Sequence, residues 1–191
     1  MTRAATRREM RAARAALAPG DRLVAADAVA RAIASRPELQ VPGYVAGYWA
    51  VGGELPLHFV QTRLAAGQVW CLPVVQGDGR LRFAPWRAGD PTVANRFGIP
   101  EPDVAPSSTL APEDLAVVLL PLVGFDATGH RLGMGGGYYD RTFAFRHAGP
   151  PPPWLVGVGY ALQEVADVGA EAWDVRLDAV VTEDGWRGFR R

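Results

Sequence analysis

The residues from Arg131 to Asp140 read RLGMGGGYYD, the densest chemical signal in the chain. Gly133, Gly135, Gly136 and Gly137 put four glycines within five positions. Such a run is costly unless the backbone must take positive φ or let a ligand come close. A loop bare of side chains turns its N–H groups toward an anion, and the start of a following helix adds its dipole. Arg131 supplies a fixed positive charge suited to phosphate oxygens. Asp140 falls about one turn into the helix expected next. A carboxylate beside bound phosphates is how a protein holds Mg²⁺, which shares its ligands between protein and substrate. The run therefore reads as a phosphate cradle beside a metal-binding aspartate; the plain alternative is a flexible turn between a strand and a helix. It matches neither GxxxxGK[ST] nor a GxGxxG placed directly after a strand, because six residues, Asp126 to Arg131, follow Phe125.

Other candidates lie far away in sequence. Arg3, Arg7, Arg11 and Arg14 fall on one helical stripe, at spacings of four, four and three. Like charges so spaced repel by ~0.2–0.5 kcal/mol per pair. A solvated stripe is the ordinary explanation, whereas an anion facing it turns the cost into attraction. Glu54, five residues after Trp49, reads alone as a helix N-terminal acid, and Trp49 as a strand-end aromatic. Asp174 reads alone as an ordinary loop or cap aspartate. His58, His130 and His147 show no metal spacing. Cys71 is the single cysteine, which excludes an internal disulfide and a CxxC zinc site, and it reads as a buried strand residue.

The elements that must position these residues alternate along the chain. Helices are expected over the first 17 residues, with Thr2 or the Thr6–Glu9 capping pattern at the start, and, after a break at Ala18-Pro19-Gly20-Asp21, on to about Ser35. Strand Val45–Trp49, helix Glu54–Ala66, and strands Val69–Val74 and Leu81–Trp86 follow. Pro91–Pro112 reads as a long loop carrying Gly98-Ile99-Pro100-Glu101-Pro102. Ala116–Leu122 is the strongest strand, a continuous apolar run of the buried parallel kind. Then come helix Tyr139–Arg146, a proline connector Pro150–Pro153, strand Leu155–Tyr160, helix Gln163–Val168 and strand Ala179–Thr182. This pattern predicts an α/β fold: a single three-layer domain over residues 1–191, with a largely parallel sheet flanked by helices on both faces. Ligands in such folds bind beyond the carboxyl ends of the strands, which puts the glycine run in a natural place for a site.

Composition bounds the partners. The chain has 191 residues, 49 % hydrophobic and 21 % charged, with 20 basic and 20 acidic residues and no net charge. Zero net charge and the lack of a basic sheet face weigh against a nucleic-acid module built on the N-terminal arginines. No run approaches a membrane span, and the N-terminus lacks a signal-peptide pattern. A cytoplasmic monomer is expected.

Leu120-Pro121-Leu122-Val123-Gly124-Phe125-Asp126, followed by Gly129 through Arg141, resembles the signature of the 5-formyltetrahydrofolate cyclo-ligases, also called 5,10-methenyltetrahydrofolate synthetases. The arginine-rich N-terminal helix, Tyr48 to Glu54, Leu72-Pro73, Gly98 to Pro102, Gln163 and Trp173-Asp174 match family features in the same order. The resemblance implies an ATP- and Mg²⁺-dependent enzyme. ATP would phosphorylate the formyl oxygen of 5-formyltetrahydrofolate, N10 would attack the activated carbon, and phosphate would leave as the ring closes. It assigns catalysis to Arg131 and Tyr138, and the ATP site to Arg3, Arg7, Arg131, Leu132, Gly133, Met134, Gly135, Gly136, Gly137, Tyr138 and Tyr139. Folate contacts fall on Trp49, Glu54, Met134 and Tyr138, and the metal on Asp140 and Asp174. Residues 1–35 would pack on or cap the ATP site. Two positions depart from the pattern: Arg3 replaces a usual lysine, and Met134 stands where relatives often carry tyrosine or a basic residue. A relative that keeps the ATP site but acts on another substrate is the competing enzyme reading.

Overall fold

The computed structural model describes residues 2–189. Helix α1 (Arg3–Ala15) starts at Thr2, whose side-chain oxygen accepts the Ala5 N–H. The Thr6–Glu9 capping pattern is not used, because the Thr6 hydroxyl lies inside the helix and donates to the Thr2 carbonyl. Helix α2 (Pro19–Ala34) opens with proline at its first position, where the missing N–H costs nothing. It buries Ala25, Ala26, Val29, Ala30 and Ile33 on one face.

The strands β1 (Gly43–Ala46), β2 (Gln68–Val75) and β3 (Leu81–Pro85) come next, with the short helix α3 (His58–Gln61) between β1 and β2. A small hairpin pairs β4 (Thr92–Ala94) with β5 (Pro100–Pro102). β6 (Leu115–Pro121) leads into a second hairpin, β7 (Gly124–Phe125) with β8 (Arg131–Leu132), and then helix α4 (Tyr138–Thr142). β9 (Trp154–Val158), β10 (Ala179–Thr182) and β11 (Gly185–Gly188) complete the chain. The main sheet has seven strands in the order β11-β10-β9-β6-β1-β2-β3. Its inner neighbours are all parallel; β3 and β11 close the edges antiparallel.

β6 sits at the centre and shows why its apolar run is continuous. Val117 and Leu119 face one core, with α2, α3 and Leu39; Val118 and Leu120 face the other, with Phe83, Phe125, Phe143 and Leu177. Period-two alternation feeds both cores, so every position must be apolar. The expected single three-layer α/β domain is present. One face, however, is covered by long helices, and the other mainly by α4, the turn after it and the β7–β8 hairpin.

Several elements differ from expectation. The helix expected over Glu54–Ala66 shrinks to the four residues of α3, because Gly52 and Gly53 take φ of +56° and +80° and the Glu54 carboxylate folds back on the Val51 N–H. The expected long loop at Pro91–Pro112 contains β4, β5 and short 3₁₀ turns. The expected helix Gln163–Val168 is a 3₁₀ turn, Ala161–Gln163, after which the Val165 N–H bonds the Phe125 carbonyl along β7. The first strand lies at Gly43–Ala46 rather than Val45–Trp49. The β7–β8 hairpin and β11 were not expected. Cys71 lies buried in β2, where burial pushes its thiol up to about 12.

Candidate active site

The six residues between Phe125 and the glycine run form a hairpin turn. The Asp126 carboxylate fastens it, accepting the Thr128 N–H at 2.9 Å, the Thr128 hydroxyl at 2.5 Å and the N–H groups of His130 and Val168 at 3.3 Å. Burial alone would raise the Asp126 pKa; these four hydrogen bonds outweigh it and hold the group below the usual range. The hairpin delivers Arg131 beneath the loop rather than onto its rim. Its side chain is 5 % exposed, with Nη1 donating to the Val175 carbonyl and Nη2 to Asp140 Oδ1, both at 2.8 Å. Leu132 is wholly buried, and its carbonyl accepts the Val123 N–H, so its side chain faces the core and not the loop opening.

Beyond Leu132 the backbone emerges. Met134, Gly135 and Gly136 are exposed, and the Met134 side chain stands in solvent. Gly135 and Gly137 adopt φ of +99° and +66°, and a Cβ on Gly136 would lie 2.8 Å from the Tyr138 ring. Three of the four glycines thus have a local reason; at Gly133 there is open space. The following helix has only five residues, so it contributes far less dipole than the long helix expected there.

α1 faces this loop with part of its arginine stripe. Arg7 Nε donates to the Gly133 carbonyl at 2.8 Å, and its guanidinium lies 3.7 Å from where a Gly135 side chain would begin. Arg3 Nη1 reaches Asp174 Oδ2 at 2.7 Å, while Arg3 Nε is buried without a partner. Burial lowers the Arg7 pKa, Arg3 lowers it further, and Asp174 offsets part of this. Arg14 turns fully inward; Arg11 stays exposed, so the solvated reading holds for that member of the stripe.

Asp140 and Asp174 flank the same short segment. Asp140 Oδ1 accepts Arg131 and the Val175 N–H; Asp174 Oδ2 accepts Arg3 and the Glu171 N–H. Among the described residues each carboxylate keeps one oxygen without a hydrogen bond. No group of three His, Cys, Asp or Glu side chains able to hold a metal is found among them. That suits Mg²⁺, which takes one or two carboxylates and fills its octahedron with phosphate and water. The unpartnered guanidinium nitrogen, the exposed glycine backbone and the two half-used carboxylates fit a polyphosphate–metal pair.

Glu54 is 9 % exposed. Its Oε2 accepts the Val51 N–H at 3.1 Å, closing a turn rather than starting a helix. Burial raises its pKa, opposed by the Val51 N–H and by Arg14. Tyr139 lies within its electrostatic reach: burial and then Glu54 push the phenol up, with Arg131 opposing. Trp49 is half-exposed and meets Trp86 edge-on at 5.6 Å. Tyr138 is enclosed by residues that its sequence neighbourhood did not reveal. Arg96 donates to its hydroxyl and lies over its ring, Phe97 meets it edge-on at 5.8 Å, and Arg141 covers it at 5.2 Å. Arg96 and Phe97 sit at the β4–β5 tip, where Asn95 Oδ1 accepts the Phe97 and Ile99 N–H groups and Gly98 takes φ +74°. The Asn-x-x-Gly pattern was the available signal for that turn. An open groove of about 510 Å³ runs along α1 past Arg7, Arg8 and Arg11 to Gly52. The crevice under α2 near Ala30 and Val45 holds only about 10 Å³ and is a packing seam.

The profile of the 5-formyltetrahydrofolate cyclo-ligase family matches residues 1–183. The chain belongs to this family of enzymes. The family's 5-formyltetrahydrofolate cyclo-ligase from Escherichia coli K12 is 34 % identical, over 91 % of this chain and 96 % of its own length. The cyclo-ligase from Haemophilus influenzae is also 34 % identical, over 70 % of this chain and 72 % of its own. The solved structure of the Aquifex aeolicus 5,10-methenyltetrahydrofolate synthetase superposes with a TM-score of 0.83 at 30 % identity, covering 100 % of this chain and 94 % of that one. Among the described residues no helix is long and apolar enough to cross a membrane.

Proposed function

We propose that the chain converts 5-formyltetrahydrofolate and ATP into 5,10-methenyltetrahydrofolate, ADP and phosphate, as a cytoplasmic monomer that binds neither nucleic acid nor membrane. The observation that carries this reading is the position of the glycine loop. The Gly133 carbonyl accepts Arg7, whose guanidinium feels the Arg3–Asp174 pair; Asp140, held by buried Arg131, follows the loop, and Tyr139 beside it lies within electrostatic reach of Glu54. A single loop therefore borders both a polyanion site and a buried carboxylate suited to a nitrogen heterocycle's N–H groups.

The chemistry needs that adjacency. A formyl oxygen on nitrogen is a poor leaving group. Transfer of the γ-phosphoryl group to it makes phosphate the leaving group, and attack by N10 on the same carbon closes the ring. The chain's residues mainly position and neutralise. Arg3 and Arg7 face the phosphates, with α1 lying over the ATP site. The N–H groups from Gly133 to Tyr139 form the cradle, with Leu132 at its base and Met134 at its rim. Arg131 holds Asp140 in place from below. Asp140 and Asp174 would hold Mg²⁺, which neutralises charge on the transferring phosphoryl group. Glu54 accepts hydrogen bonds from the pterin, Trp49 and Met134 supply apolar contact, and the Tyr138 hydroxyl, held by Arg96, faces the reacting substrate.

Mixing the purified chain with 5-formyltetrahydrofolate, ATP and Mg²⁺ should build the methenyl absorbance in proportion to ADP released. Folded protein that gives no ATP-dependent signal sinks the proposal. A different acceptor is the competing reading, with Met134 exposed at the rim of the loop. ATP turnover with another carbonyl compound and none with the folate would support that reading.

A further inference from the structure

Arg14 is the least expected residue in the arginine stripe. It is 1 % exposed, and a guanidinium so deeply buried is a poor choice for stability, since an apolar side chain of similar volume is usually as good or better. Its bonds are also unusual for a helix residue. Nη2 donates to the Gly52 carbonyl at 2.9 Å and Nη1 to the Leu122 carbonyl at 3.3 Å, while Nε is buried without a partner. Gly52, at φ +56°, opens the turn that ends in Glu54. Leu122 lies where β6 ends and the hairpin bearing the glycine loop begins. Gln163 Nε2 bonds the same Leu122 carbonyl at 2.9 Å and the Val123 carbonyl at 2.8 Å, so this junction is held from two sides. One guanidinium thus ties three pieces together: the helix carrying Arg3 and Arg7, the Glu54 turn, and the root of the glycine loop.

We propose that Arg14 is a positioning residue that fixes Glu54 for the folate and couples the folate-side turn to the helix bearing the nucleotide arginines. This rests on the folate reading of Glu54. A neutral clamp could make the same two carbonyl contacts, so the charge needs its own reason. Glu54 faces Arg14 from α1, Tyr48 from the segment after β1 and Tyr139 from α4. Tyr48 donates its hydroxyl to the Leu55 carbonyl, and both phenols are pushed up by burial, so they stay neutral. Arg131 acts on Tyr139 from behind. Arg14 is the cation that opposes the burial of Glu54. The Val51 N–H opposes that burial more strongly and Arg14 adds to the opposition, so the guanidinium favours the charged carboxylate while the bond to an oxygen comes from Val51.

The test compares Arg14→Lys and Arg14→Met, each alone and with Glu54→Gln. KM for 5-formyltetrahydrofolate, KM for ATP and the pH profile of kcat/KM for the folate are the readouts. Arg14→Met should raise the folate KM by about tenfold or more while the ATP KM moves less than about threefold, the scale of one charge-assisted hydrogen-bond network. Because Arg14 lowers the Glu54 pKa, its loss should shift the acid limb upward. Arg14→Lys should restore the limb and recover part of the KM. In the Glu54→Gln background the same changes should cost little more, since the two residues act as one unit. Equal rises in both KM values, or an unmoved acid limb, would overturn the proposal. If Arg14→Met does not fold, Arg14→Gln, uncharged but able to donate to the same carbonyls, decides through the same double-mutant cycle. Carbon-13 titration of the Glu54 carboxyl, without substrates, separates this inference from the folate reading. A wild type that turns over no folate refutes that reading alone; a Glu54 carboxyl that titrates alike in wild type and in a folded uncharged variant, Arg14→Met or Arg14→Gln, refutes the coupling alone.

Discussion

Two arginine–aspartate pairs show how the same residue types can either fix a chain or leave chemistry available. Arg146 and Asp178 are both buried and fully committed. Arg146 Nη2 bonds both Asp178 oxygens at 2.9 and 2.7 Å, its Nε bonds the Pro153 carbonyl at 3.1 Å and its Nη1 the Gly149 carbonyl; Asp178 also accepts the Leu155 N–H. Arg131 and Asp140 share one contact, Asp140 is 20 % exposed, and its Oδ2 accepts no hydrogen bond among the described residues. The first pair joins the segment after α4 to the start of β10. The second holds a carboxylate steady through one oxygen and leaves the other without a hydrogen bond among the described residues. A saturated pair can only hold the chain; an unsaturated, partly exposed one still has an oxygen to offer.

Removing one member of each pair should separate the two roles most sharply. Asp178→Ala removes the carboxylate whose two oxygens accept from the buried Arg146, which should cost about 3–5 kcal/mol in urea unfolding, with turnover per folded molecule little changed. Asp140→Asn should change stability by less than about 1 kcal/mol, yet lower turnover on the order of 10²–10³-fold, the scale of losing one charge that stabilises a transferring group. Asp140→Asn with near-normal turnover and a large loss of stability would erase the distinction.

A glycine comparison carries the contrast to the backbone. Gly135 and Gly185 have φ of +99° and +117°, and a Cβ at either position meets no hard contact. Alanine at each should therefore cost a similar ~1 kcal/mol of backbone strain. Only Gly135→Ala should also raise the ATP KM, by roughly tenfold, because it narrows the cradle beside Arg7. Isothermal titration with a non-hydrolysable ATP analogue reads this without turnover. Equal ATP affinity in both variants would make the glycine loop a turn and nothing more.

What was legible in the sequence follows the same division. β6 was readable because a strand buried on both faces must be apolar throughout, and the glycine run as special backbone because Gly135 and Gly137 take positive φ and Gly136 has no room for a Cβ. The helix expected at Glu54–Ala66 was misread because its apolar residues, Leu55, Leu57 and Val60, are buried by an irregular segment that periodicity cannot distinguish from a helix. The β7–β8 hairpin was missed because two-residue strands are specified by the turn, here through Asp126, and not by a pattern of their own. Arg131 was assigned to the phosphates by type. Its burial under the loop depends on Val175 and Asp140, 44 and 9 residues away, and no local rule reveals that. Arg14 looked like its neighbours Arg7 and Arg11 because spacing alone does not say which arginine meets the body of the protein.

The smallest expected effect tests whether the Arg3–Asp174 pair belongs with the open pairs. Arg3 is partly exposed and Asp174 nearly buried. Burial alone would raise the Asp174 pKa, but the hydrogen bond from Arg3 and the Glu171 N–H outweigh it, so the folded value lies below the unfolded one. Such a group adds stability that is present above its unfolded pKa, near 3.9, and is lost as pH falls through the folded value. Arg3→Ala should therefore cost only about 0.5–1 kcal/mol at pH 7, the scale of a partly exposed ion pair, and the gap from wild type should close as pH falls below the unfolded value and through the lowered folded one. The Asp126 contribution, set by Thr128, His130 and Val168, should titrate alike in both proteins and serves as the internal control. A gap that stays constant down to low pH would mean that Arg3 acts through packing. The pair would then join Arg146–Asp178 on the structural side, leaving Asp140 as the carboxylate held open by charge.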